Sequence, residues 1–335
     1  MAIGTLSILL HAALAAGPVV VADPVVATST LESWVGPSTV PVGGDELARY
    51  FNGGYRLSTS RHFLMVHAGD NDSAAALVDL LEDGRARFFK LFGAAGFALH
   101  DFDQPLLWEL FDTHAQLDRM SFETERRDLS WLDAYYSPRT NRVALVRLQA
   151  AAPVADQEGV AFLASARPQV CTTPVVGVDV ARVVHELAHQ LAFNSGVMER
   201  GVAYPVWVAE GLADHFAGVV SLCANRRSLL ASDQRAAVTA GRPRPRLPLR
   251  ELVGLRSVPD DDPALANTIY DEAESLFGFL LTARRVALLA FLTRVAISGP
   301  GIPTRRECEA QFDAAFGDID ALETAWVAST TPSTL

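Results

Sequence analysis

Residues 185–189 read His-Glu-Leu-Ala-His, and no other stretch narrows what this chain can build so sharply. On an α-helix, residues four apart stand about 40° from one another around the axis, so His185 and His189 share a face. Two neutral imidazoles at that spacing converge on one metal ion. Glu186, beside the first of them, can reach a water on that ion rather than the ion itself. The flanks agree with a helix: Val183, Val184, Leu187, Leu191 and Ala192 recur at helical period. Asp179 is placed to cap its start and Asn194-Ser195-Gly196 to end it. The plain alternative is a core helix whose histidines satisfy backbone carbonyls. Against it stands the cost of burying two imidazoles and a carboxylate without partners.

A catalytic zinc site usually takes three protein ligands and keeps one position open. The metzincin extension of the motif would place Gly at 192 and His at 195, where this chain has Ala192 and Ser195. A second helix-like run, Trp207 to Phe216, holds Glu210 and Asp214 four residues apart, again on one face. Glu210 is the candidate third ligand. Asp214 is placed to accept the free ring N–H of a ligating histidine and so fix its tautomer. Gly211 removes a side chain where two helices would approach closely. His215 is a rival ligand, but it projects about 100° away from Asp214 and off the Glu210 side.

HELAHQ followed by P-V-W-V-A-E-G-L-A-D-H-F resembles the gluzincin clan of zinc metallopeptidases, in its bacterial peptidase MA-like branch. Pro205, Trp207, Glu210, Gly211, Ala213 and Phe216 match that branch position by position. The likeness extends to the Leu247–Leu252 run (LPLREL) and to Tyr270–Leu281. More softly, it reaches Arg61-His62-Phe63 and the Trp131–Leu148 segment with its YYSPRTNR turn. One position departs: many such peptidases have Asn before the glutamate ligand, and this chain has Ala209. The resemblance implies a zincin-like fold, zinc on His185, His189 and Glu210, and Glu186 as general base on the metal-bound water. It also implies Tyr270 as a donor to the oxyanion of the attacked carbonyl.

The rest of the chain sets bounds. At 335 residues it can bury a sizeable core, and no internal apolar run is long enough to span a bilayer. A formal charge of -11 argues against nucleic acid as a partner. Lys90 is the single lysine, arginine carrying the remaining positive charge. The apolar stretch Ile3–Ala16, with small residues up to Ala22, suggests a signal peptide over 1–22 and export to the periplasm or beyond. No Lys or Arg precedes Arg49. Residues 23–55 read as a linker. Cys171, Cys223 and Cys308 are too sparse for a disulfide scaffold; a Cys171–Cys223 bridge and three separate thiols both stay open. His62, His67, His100 and His114 lack ligand-like spacing and are expected to be surface or packing residues.

Periodicity predicts strands over 62–66 and 142–148 and helices over 73–92 and 112–120. Further helices are expected over 180–193, 206–222, 226–240, 269–282, 284–297 and 305–316, with an extended connector at 241–248. The expected architecture is α+β: a mixed α/β lobe (56–170), a mainly helical lobe (171–325), and the metal site in the cleft between them. The expected function is hydrolysis of peptide or protein substrates. The alternative is a catalytically silent gluzincin-like binding module, with structural zinc or no metal; hydrolysis of a non-peptide amide is a third reading.

Overall fold

The computed structural model describes residues 54–69, 71–125, 132–147, 178–220, 246–259, 262–299, 301 and 303–330. The expected signal peptide, all but the last two residues of the linker, Cys171 and Cys223, the helix over 226–240 and most of the 241–248 connector lie outside them.

Five strands form one mixed sheet: β1 (Arg56–Thr59), β2 (Phe63–His67), β3 (Leu106–Phe111), β4 (Ala134–Ser137) and β5 (Arg142–Val146). Their spatial order is β1-β2-β3-β5-β4. β2, β3 and β5 run parallel, and β1 and β4 are antiparallel to their neighbours at the two edges. Strand β3, with the sequence LLWELF, is buried at every position. Because side chains alternate across a pleated strand, Leu106, Trp108 and Leu110 enter the main core, while Leu107 and Phe111 join smaller clusters on the opposite face.

Helix α1 (Asn71–Ala94) connects β2 to β3 and buries Leu77, Leu81, Gly84, Phe88 and Phe92 as one helical stripe. Helix α2 (His114–Glu125) contributes Leu117 to the cluster on the other face of the sheet. The remaining helices follow the sheet: α3 (Val180–Asn194), α4 (Val206–Val220), α5 (Leu249–Val253), α6 (Pro263–Ala283), α7 (Arg285–Ile297), α8 (Arg305–Phe316) and α9 (Ile319–Thr330). Mixed strands followed by a run of helices agree with the α+β expectation. One apolar core joins the two, from Phe63 and Trp108 through Leu187 and Leu191 to Trp207, Phe277 and Trp326.

Two glycines set how closely the helices around α3 and α4 approach. A Cβ on Gly84 would lie 2.5 Å from Leu187 Cδ2, so α1 lies against α3 there. On Gly211 it would collide with the Ala273 carbonyl oxygen and stand 2.9 Å from Phe277 Cβ, bringing α4 onto α6. Expected boundaries mostly hold within two residues, with two larger differences. α6 begins at Pro263 rather than 269, because Asp262 accepts from Ala264 and Leu265 N–H and Pro263 suits the first turn. α2 runs five residues past 120, to Glu125.

Candidate metal centre

Helix α3 starts where Asp179 accepts hydrogen bonds from the main-chain N–H of Ala181 and Arg182, at 3.0 and 3.3 Å. From Val183 to Phe193 every residue is buried. Charged and aromatic groups in such a helix must find partners or bear the cost of desolvation. Their partners come from α4, which packs against α3.

His185 Nε2, His189 Nε2 and a Glu210 carboxylate oxygen gather with all three ligand atoms within 4.8 Å of one another. The two Nε2 atoms are 3.1 Å apart. Glu210 Oε2 lies 3.4 Å from His185 Nε2 and 3.6 Å from His189 Nε2. These are ion-pair distances, and neither Glu210 oxygen has a hydrogen-bond partner although the residue is fully buried. Asp214, one turn on from Glu210, accepts from His185 Nδ1 at 2.8 Å, which turns His185 Nε2 toward the centre. His189 has no counterpart: its Nδ1 is buried without a partner, and Ala209 offers no side-chain acceptor. His215 lies elsewhere, packed against the Phe277 ring at 6.0 Å.

Electrostatics point the same way. Burial opposes a charge on His185, but the carboxylates of Asp214 and Glu210 outweigh it and lift the imidazole to about 10. Burial would raise Glu210, yet His189 and His185 hold it far below the usual carboxylate range. For His189, burial prevails over the pull of Glu210 and the shift is downward. The centre is short of positive charge. Two imidazole nitrogens and a carboxylate converging on one point, with both carboxylate oxygens unbonded, fit a divalent cation and suit zinc in donor type and number.

Glu186 is fully buried beside the triad, and neither of its oxygens has a hydrogen-bond partner. Burial pushes its carboxyl well above the ordinary value, with His185 opposing and Glu210 adding to the rise. The edge of the sheet approaches it. Val146 N–H donates to Asp133 C=O at 2.7 Å, so by the antiparallel alternation Tyr136 directs its main-chain groups away from β5. The Tyr136 amide is directed at Glu186 and favours its ionised form, although it falls short of hydrogen-bond geometry. His185 and Asp214 each keep 8% of their surface exposed, and the triad meets solvent on their side. Tyr270 lies on α6, partly buried against the main core. It stands one turn before Ala273, whose carbonyl abuts Gly211.

Gln190, Asn141 and Asn194 fix α3 against the sheet, contacts that their places in HELAHQ, in the YYSPRTNR turn and at the end of α3 do not announce. Gln190 accepts from Trp108 Nε1 at 2.7 Å and donates to the carbonyls of Leu107 (3.3 Å) and Asn141 (3.2 Å). Asn141, at φ 54°, exchanges amide hydrogen bonds with Asn194 at 2.9 and 2.7 Å. His62 and His67 are buried packing residues, paired with Glu82 and Ser58 respectively. His100 and His114 are exposed.

A family model described as a protein of unknown function (DUF1570) matches residues 179–301. That span runs from the cap of α3 to just past α7 and takes in the whole candidate centre. No curated protein matches the sequence.

Proposed function

We propose that this chain is a zinc-dependent hydrolase of the gluzincin kind, cutting peptide bonds in peptide or protein substrates. The observation that carries the reading is the buried convergence of His185, His189 and Glu210, with both oxygens of Glu186 unbonded beside it. Zinc held by those three side chains would supply Lewis acidity, polarising a carbonyl and acidifying water to a pKa of about 7. Glu186 serves as the general base. Its carboxylate takes the proton of the attacking water and returns it to the departing amine. Asp214 holds the His185 ring in one tautomer and orientation. Tyr270 is assigned, by resemblance, to donate to the developing oxyanion. Within this reading the fold is zincin-like, with the mixed α/β portion and the helical portion flanking the site, in an exported protein.

The burial of the triad favours a second reading, a silent binding module with a structural ion, because structural zinc sites are closed ones. The two separate on Glu186, which a structural site does not require. A peptide library incubated with the zinc-loaded protein should be cleaved, and Glu186→Gln should abolish cleavage while leaving metal content and melting temperature in place. No cleavage by a fully loaded wild type would leave the structural reading standing.

A further inference from the structure

Helix α7 turns an apolar stripe outward. Its core face is formed by Leu288, Phe291, Leu292 and Val295. On the opposite side Val286, Ala290, Thr293 and Ile297 are all exposed and, at about 100° per residue, fall within about 60° of arc. Val286 and Ile297 are 78% and 80% exposed, the two most exposed large apolar side chains among the described residues. Ala290 and Thr293, whose hydroxyl donates to Leu289 C=O, link these two ends, and exposed apolar side chains aligned on one side of a helix offer an interaction face.

Charge says what the face meets. The helix reads RVALLAFLTRVAI, with no acidic residue, in a chain where Asp and Glu number 39 against 28 Lys and Arg. Arg285 and Arg294 are exposed and stand on opposite shoulders of the stripe, about 100° and 80° from Val286. Arg284, also exposed, precedes the first turn. Glu307, on the wall of the cavity beyond the end of α7, is engaged at the Thr304 cap. Because the other face of α7 is held in the core, what it offers outward is Val286 and Ile297 to enter the acyl boundary and Arg285 and Arg294 to meet anionic headgroups. A second copy is a poor occupant, since apposed stripes would bring arginine shoulders together with no acid on the helix to pair them. No single helix among the described residues is long and apolar enough to cross a membrane. At 13 residues, or about 20 Å, α7 can lie on a bilayer but not span one.

We infer that α7 docks this protein onto an anionic lipid surface through Val286 and Ile297, with Arg285 and Arg294 engaging the headgroups. Full-length protein is mixed with vesicles of phosphatidylcholine, or of phosphatidylcholine and phosphatidylglycerol in equal parts. Partitioning is read by co-sedimentation, and amide exchange over residues 285–297 reports the helix itself. Anionic vesicles should protect those amides and neutral ones should not, and added salt should reverse the protection. The double variant Arg285→Gln/Arg294→Gln should lower partitioning by about 25-fold, roughly fivefold per arginine. Val286→Asp/Ile297→Asp should abolish the protection of α7 with an unchanged circular-dichroism melt. Amides over 285–297 that anionic vesicles leave unprotected would overturn the inference. So would partitioning equal in wild type and both variants, or a dimer in sedimentation velocity that the aspartates dissociate.

Discussion

Two buried charged groups in this molecule differ in completeness. In the sheet, Glu109 on β3 and Arg142 on β5 are both nearly inaccessible, and Arg142 donates to Glu109 at 2.9 Å. Charge is answered by charge inside the protein. On α3 and α4 respectively, Glu186 and Glu210 are fully buried and none of their four oxygens has a hydrogen-bond partner. The chain answers the first carboxylate with a hydrogen-bonded guanidinium, whereas the second pair has only imidazoles at ion-pair distance from Glu210 and no hydrogen bond to any oxygen. A buried acid that the fold completes is architecture, whereas one the fold leaves open asks for a ligand.

The largest test of this contrast is metal removal. If the ion completes the second group, saturating zinc at about 1,000 times its Kd should raise unfolding free energy by about 4 kcal/mol, and a chelator should reverse it. Thermal melts with and without chelator measure this, and Glu210→Ala should show no difference between them. Arg142→Met should destabilise by about 3–5 kcal/mol in urea titrations, because it removes the cation that donates to the buried Glu109 carboxylate. Adding Glu109→Leu to that variant should recover most of the loss, and a double variant no better than the single would break the comparison. Gln190→Leu leaves Trp108 Nε1 and two carbonyls unanswered and should cost about 1–3 kcal/mol, read in the same titrations. Asp214→Asn should spare the fold and weaken zinc binding about 10–100-fold, as loss of a carboxylate partner to a ligating histidine does. Competition with a chromophoric chelator would measure that change.

Legibility in the sequence follows the distance over which each feature is encoded. His185 and His189 are four residues apart, as are Glu210 and Asp214, and a helix converts that spacing directly into a shared face. The cap at Asp179 and the close approach at Gly211 are likewise local signals, and both stand in the structure. Strand β3 escaped because it is buried on both faces, so its side chains show no alternation to read. Strand β4 is four residues long and wholly buried, and β1 is equally short. The clasp of Gln190 on Trp108 joins residues 82 apart in sequence, and that with Asn141 spans 49. No spacing rule reaches across such separations. Tertiary pairing alone reveals how α3 is held to the sheet, although the groups it presents could be read from the sequence.

Whether His185, His189 and Glu210 hold a metal is decided by the metal content of the purified full-length protein, by elemental mass spectrometry, beside His185→Ala. One zinc per chain is expected in the wild type and none in the variant, with both folded by circular dichroism. A wild type that retains no divalent metal after reconstitution, or a variant that retains as much, would contradict it.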